Sequence, residues 1–279
     1  MRIAHLAGRL VVITHGLAAD VHTASGGLFS SDPQAVYSRW DEFRTWAARA
    51  DLDGVPFDPA DLGAPAPAPR QLFAIGLNYR EHVVEAGFTT PEGMPPVFTK
   101  FATALTGPVT EVTLPRDSHT DWEVELVVVV GKEARRVPEA DAWDHVAGLT
   151  VGQDISERVL QMGGPAPQFS LGKSYPGFAP TGPWLVTPDE FDDPDDLELT
   201  CAVNGEEVQR GRTRQLIFSV PALVAKLSDV LPLLPGDVIF TGTPAGVGLG
   251  RTPQRWLSVG DELVSAVEGI GELRQRFVA

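Results

Sequence analysis

The sequence predicts a mixed α+β, strand-rich fold with a small N-terminal unit. Short β-type runs separated by turn signals point to it, as do 28 glycines and 24 prolines in 279 residues. No internal repeat and no regular βαβ alternation is present, which argues against a doubly wound sheet. Taken in order, Leu10–Thr14 reads as a strand, and a glycine- and serine-rich loop leads to Phe29. Asp32-Pro33 offers a cap with proline at the first helical position, and Val36, Trp40, Phe43 and Ala47 follow at helical spacing. Gly63-Ala-Pro-Ala-Pro-Ala-Pro69 is an extended, stiff run. A boundary there divides the chain into residues 1–69, a small N-terminal domain and linker, and residues 70–279, the main domain.

Strands are expected next at Leu72–Ile75, Val112–Leu114, Val124–Val130, Val146–Val151, Leu199–Val203, Val238–Thr241 and Leu263–Val267. Asn204-Gly205 between two such runs is a hairpin signal. Helices are expected from about Asn78 to Ala86 and from Val220 to Val230, the second with Ser219 as cap and Pro221 in its first turn.

A formal charge of −15 without any basic tract excludes partners bound through phosphate, so neither nucleic acid nor an anionic membrane surface fits. Cys201 stands alone, which rules out an internal disulfide and a cysteine-rich metal cluster, and suits a reducing cytoplasm. Arg9 and His15 interrupt the early apolar residues too soon for a signal peptide, and no run is long enough to span a bilayer. A cytoplasmic location is the expectation.

The chemistry centres on Asp121-Trp-Glu-Val-Glu-Leu-Val-Val-Val-Val130. Residues two apart in a strand point the same way, so Asp121, Glu123 and Glu125 share a face. Carboxylates running into a buried strand need a positive charge to balance them. Asp154 follows the apolar run Val146–Val151 at a strand end, and a helix from Asp154 would carry Arg158 and Gln161 on its side. Three carboxylates with no cysteine and no paired histidines suit a hard, oxygen-seeking cation such as magnesium, manganese or calcium. On a helix His82 and Glu85 meet, and a carboxylate so placed fixes the imidazole tautomer for work as a general base. Lys173 is a candidate cation over a developing oxyanion.

Two glycine motifs do not bind nucleotide. Gly172-Lys-Ser174 lacks the glycine required five residues earlier, where Pro167 stands. Gly242–Gly250 has neither G-x-G-x-x-G spacing nor a following helix and reads as a close-approach loop. His119 is a candidate supporting group near the acids, and Cys201 reads as core.

In order along the chain stand G-L-N-Y-x-x-H-x-x-E (76–85), P-x-F-x-K (96–100), D-W-E-V-E-L (121–126), Q-D-I-S-E-R-x-x-Q (153–161), G-K-S (172–174) and G-D-V-I-F-T-G-T-P-A-G-V-G (236–248). With these motifs the sequence resembles the fumarylacetoacetate hydrolase superfamily, specifically its bacterial acylpyruvate-hydrolase-like branch, from about Leu72 to Phe277. The resemblance implies a β-roll, a homodimer and a Mg2+ or Mn2+ centre at Glu123, Glu125 and Asp154. It implies catalytic roles for His82, Glu85 and Lys173, and substrate contacts from Tyr79, Arg158, Gln161, Tyr175 and Thr243. The reaction implied is hydrolysis of a carbon–carbon bond in an acylpyruvate-type acid such as fumarylpyruvate. Decarboxylation of an oxaloacetate-type acid, or isomerisation of a 2-hydroxy-dienoate, is the alternative within the superfamily; an idle oxo-acid-binding protein is the alternative outside it. Trp122 stands where tyrosine is commoner, and Ser174-Tyr-Pro-Gly177 replaces the usual serine-phenylalanine-aspartate loop.

Overall fold

Seven consecutive buried residues, Val124–Val130, form a central strand of an 11-stranded sheet in the computed structural model, which describes residues 1–279. Successive side chains leave a strand on opposite faces, so burial of all seven requires cover on both. Val124, Leu126, Val128 and Val130 face a core shared with Leu199, Leu263 and Phe277 of a five-stranded sheet, and with Leu223 and Leu227 of the Val220–Val230 helix. Val127 and Val129 turn the other way, against Trp40, Phe43 and Phe240. Glu123 and Glu125 continue that second face beyond the apolar residues.

The central strand pairs antiparallel with Val146–Gln153 on one side and Val238–Phe240 on the other. Val238–Phe240 then runs parallel to Leu72–Ile75, which places the segments following both strands at one end of the sheet. Those segments carry the His82 helix and the Gly242–Gly250 loop. The five-stranded sheet runs Glu206–Arg212, Glu198–Val203, Glu262–Val267, Gly271–Val278 and Val109–Thr113. The hairpin at Asn204-Gly205 is present, with φ of 52° and 80°, the two positive values a tight primed turn requires. Ser219 caps the Val220–Val230 helix by accepting from the Ala222 N–H.

The first 69 residues share the large sheet. Arg2–Leu6 pairs with Ala179–Val186, and Leu62–Gly63 pairs back onto Arg2–Leu6. The alanine/proline run is packed: Ala64 and Ala66 are buried, and the Tyr37 hydroxyl donates to the Pro65 carbonyl at 3.0 Å. Two local expectations are corrected here. The stretch before Phe29 contains a strand, Leu17–Asp20, and a short helix, Val21–Ala24, capped by Asp20 accepting from the Thr23 N–H. The helix expected from Asp32-Pro33 begins as α-helix only at Trp40, because Asp32 closes a turn onto the Gln34 N–H and Ala35–Arg39 winds as 3-10 helix. No helix is long and apolar enough to cross a membrane.

Candidate active site

Glu123, Glu125 and Asp154 come together as a buried trio, with ligand oxygens all within 4.8 Å of one another. The backbone explains the approach. The Asp154 N–H donates to the Glu123 carbonyl, which extends the ladder past the strand ends. Where regular pairing stops, glutamine side chains replace it: Gln153 Oε1 accepts from the Glu123 N–H and Gln209 Oε1 from the Val124 N–H. Gln153 stands in a motif noted above but with no role assigned, and Gln209 in none, since their partners lie 30 and 85 residues away.

Buried charges must be paired, and here they alternate. Arg158 bridges Asp121 and Glu123; Lys173 Nζ bridges Glu123 and Asp154 at 2.6 Å each; Lys100 Nζ reaches Asp154 Oδ1 at 2.6 Å and also meets the Lys173 carbonyl. Burial alone would raise the Glu123 carboxyl, but Lys173 and Arg158 outweigh it and hold the group below its usual range. Burial drags the Lys100 ammonium below its ordinary value against the pull of Asp154. At Lys173 burial is outweighed by Asp154 and Glu123, so its ammonium is held above its ordinary value.

Glu125 stands outside this chain. It is 2% exposed and has no lysine or arginine partner, and its side chain accepts only from the Gly242 N–H at 2.8 Å. Burial, then Asp154 and Glu123, push its carboxyl well above the usual range. Four carboxylates in this cluster face three cations, and the deficit lies at Glu125. A hard divalent cation held by Glu125, Glu123 and Asp154 answers that deficit, and the all-oxygen donor set fits magnesium or manganese.

His82 and Glu85 lie on the Arg80–Glu85 helix, with Nδ1 and Oε2 3.3 Å apart. With Nδ1 engaged by Glu85, Nε2 is the nitrogen left for chemistry. Asn78 anchors the entry to this helix: its amide donates to the Phe218 and Thr241 carbonyls and accepts from the Phe218 N–H. The glycine-rich loop then wraps three site carboxylates. Gly242 donates to Glu125, Gly246 to Glu85, and Gly248 and Leu249 to Asp121. A Cβ at Gly250 would lie 2.1 Å from Glu85 Cγ, so the close approach needs glycine.

A cavity of about 110 Å³ brings most of the expected residues together: His82, the three acids, Lys173, Arg158, Gln161 and Thr243 all line it. Glu85 stands behind His82. Thr243 is fixed by donating to the Val124 carbonyl and accepting from Gln209. The two tyrosines are not on its wall. Tyr79 is buried with its hydroxyl unbonded, and Tyr175 packs against Phe178 at the edge of the core. Asp154 does not start a helix. The chain makes a short bridge at Ser156–Glu157 first, and Glu157 caps the Arg158–Met162 helix by accepting from Val159 and Leu160. His119 is exposed and stacks on Trp256 with ring centroids 4.8 Å apart. Cys201 is a buried core residue whose thiol is pushed up to about 12 by burial. The residues the sequence reading left without a role are Lys100, Asn78, Asp121 and the two glutamines.

Fold and site together define a class: a β-rich enzyme scaffold in which buried oxygen donors face a histidine–carboxylate pair. The chain belongs to the fumarylacetoacetate hydrolase family, matching the fumarylacetoacetate (FAA) hydrolase C-terminal family over residues 71–278. It is 42% identical over 233 residues to the human mitochondrial oxaloacetate tautomerase FAHD2A, covering 83% of this chain and 74% of that protein. A Mycobacterium smegmatis protein provisionally named HpcE superimposes with TM-score 0.96 at 55% identity, over 100% of this chain and 99% of that one. Maleylpyruvate hydrolase from Sphingobium sp. SYK-6, solved with manganese(II) and pyruvate, gives TM-score 0.79 at 28% identity, over 100% and 99%.

Proposed function

We propose that this chain is a divalent-metal-dependent hydrolase that cleaves a carbon–carbon bond in an acylpyruvate-type (1,3-diketo) acid such as fumarylpyruvate. The observation that carries the reading is that His82, oriented by Glu85, lines the same cavity as Glu123, Glu125 and Asp154. Magnesium or manganese at Glu123, Glu125 and Asp154 would supply Lewis acidity to the 2-oxo-acid end of the substrate. His82 Nε2 takes a proton from water, and the water oxygen bonds to the distal carbonyl carbon. The Lys173 ammonium, already in the cavity wall, donates to the oxyanion that forms. As that oxyanion collapses, the carbon–carbon bond breaks and its electron pair passes to the pyruvate fragment. The proton held by His82 completes that fragment, so the sum is one water added across one bond. Arg158 and Gln161 supply donors for the substrate carboxylate.

The test is turnover of a panel of acylpyruvates with His82→Ala. We expect loss of kcat by at least about a hundredfold in a folded, metal-binding variant. Undiminished turnover rules out the base assigned here.

A second reading, enol–keto tautomerisation of a small oxo-acid such as oxaloacetate, is favoured by the small cavity and by the FAHD2A relationship. It needs proton transfer but no attacking water. Product mass separates the two: a gain of one water supports hydrolysis, an unchanged mass tautomerisation.

A further inference from the structure

Val124 lies between Glu123 and Glu125, beyond the point where its strand stops pairing with Val238–Phe240. Its N–H donates to Gln209 Oε1 at 3.0 Å, and its carbonyl accepts from the Thr243 hydroxyl at 2.9 Å. Gln209 Nε2 donates in turn to Thr243 Oγ1 at 2.8 Å and to the Pro244 carbonyl at 2.7 Å. Val124, Gln209 and Thr243 thus close a ring of hydrogen bonds, and all three are buried. A β-bulge puts Gln209 there. Cys201 pairs with Gln209 but Ala202 with Glu207, which leaves Val208 as the extra residue. Val208 and Gln209 are therefore buried in succession, where a regular strand would turn one of them outward.

The Val124 peptide fixes the polarity of the ring. Its N–H can only donate, so Gln209 turns its oxygen toward Val124 and its amide N–H groups toward Thr243. The Thr243 oxygen accepts, and its single proton goes to the Val124 carbonyl. An ionised 2-oxo acid presents only acceptors at its carboxylate and oxo groups, so this hydroxyl has no proton to offer it. The Thr243 N–H, by contrast, donates to no group of the protein, and Thr243 lines the cavity.

We propose that Gln209 is a positioning residue that commits the Thr243 hydroxyl to the strand and so sets the Thr243 backbone N–H as a donor to the oxo-acid end of the substrate. The inference rests on the reading that a 2-oxo acid occupies the cavity, and it adds a backbone donor to those of Arg158 and Gln161. Without the Gln209 amide, the hydroxyl is free to rotate and the Pro244 carbonyl loses its tie, so the N–H between them loses its fixed direction.

The test reads pyruvate binding to the full chain at saturating Mg2+, by calorimetry and by the Thr243 amide resonance. In the wild type that amide proton should move downfield as pyruvate binds; an unmoved resonance overturns the proposal. Gln209→Met keeps the length of the side chain and removes both of its hydrogen-bonding groups. Pyruvate affinity should then fall about tenfold, the loss of one hydrogen bond to a charged group. Thr243→Val should cost a similar factor, and the double variant should bind no more weakly than the weaker single one, because both open the same ring. A merely structural Gln209 predicts a lower Tm with pyruvate affinity unchanged, which overturns the proposal, as does a double variant whose losses multiply to about a hundredfold. If Gln209→Met fails to melt cooperatively, Thr243→Val carries the test. Weaker pyruvate binding with a smaller shift of the residue 243 amide then supports the proposal, and a shift equal to wild type overturns it. A wild-type chain that binds no pyruvate overturns the oxo-acid reading and this inference with it, whereas pyruvate binding unaffected by Gln209→Met overturns this inference alone.

Discussion

At the scale of single residues, Glu125 links the metal reading to stability. Its carboxyl is held well above the ordinary value of 4.5, chiefly by burial, so the folded chain keeps a proton there that the unfolded chain releases. A raised value stabilises the fold fully below the unfolded pKa, and the contribution is lost as pH rises through the folded pKa. Metal-free protein should therefore lose stability as pH rises from about 4.5 through that higher value. A cation replaces the missing positive charge, so the Tm gain on adding Mn2+ should be larger at pH 8 than at pH 5. At a hundredfold excess over Kd the gain corresponds to about 2.7 kcal/mol. Calorimetric melts at the two pH values, with and without chelator, check this; a gain that shrinks with pH contradicts it. Glu85 makes a second residue-level prediction. Glu85→Gln keeps the shape but cannot stabilise positive charge on His82, so kcat should fall by about tenfold to a hundredfold with KM little changed. A change confined to KM would mean that Glu85 contacts substrate instead.

At the scale of elements, legibility followed how local each signal was. The central strand could be read because Val124–Val130 is one apolar run, and the Val220–Val230 helix because Ser219 and Pro221 mark its start within a few residues. The helix expected at Asp154 was not there, because Glu157 out-competes it as cap by accepting two N–H groups. The acids and the His–Glu pair were legible from spacing. Lys100 was not, although its motif was noted, because its partner Asp154 is 54 residues away and only the fold makes that pairing. The loop after Phe240 was legible as a close-approach segment, while what it approaches was not: its N–H groups serve the site's own carboxylates. That geometry predicts a specific lesion. A methyl at Gly250 would press on Glu85 Cγ and Cδ and drive the carboxylate off His82. Gly250→Ala should therefore reproduce the kcat loss of Glu85→Gln, with overpacking costing about 1–3 kcal/mol of stability. Wild-type kcat in this variant would show that the loop yields without moving Glu85.

At the scale of the whole molecule, the first 69 residues supply no side chain to the cavity, yet the sheet that carries the site depends on them. Arg2–Leu6 is the hydrogen-bonded neighbour of Ala179–Val186, which in turn pairs with Val146–Gln153, the strand leading into Asp154. Val127, Val129 and Phe240 share one core with Ile3, Leu10, Tyr37, Trp40 and Phe43. The strand that carries Glu125 is thus covered on one face by this N-terminal segment and on the other by the five-stranded sheet. Burying a large apolar side chain stabilises by about 1.5–3 kcal/mol. Uncovering several at once approaches the whole stability of a domain, about 5–15 kcal/mol. Deletion would also leave Ala179–Val186 with an unpaired edge beside an exposed apolar face, the combination that templates aggregation. A chain of residues 70–279 alone should therefore be aggregated or show no cooperative melt, although it keeps Glu123, Glu125, Asp154 and both members of the His–Glu pair. Supplying residues 1–69 as a separate chain during refolding should recover soluble, Mn2+-binding protein if sheet pairing and core cover are all that is missing. A soluble 70–279 fragment that melts cooperatively and binds Mn2+ unaided would show that the β-roll is self-sufficient and that the segment's packing serves another end.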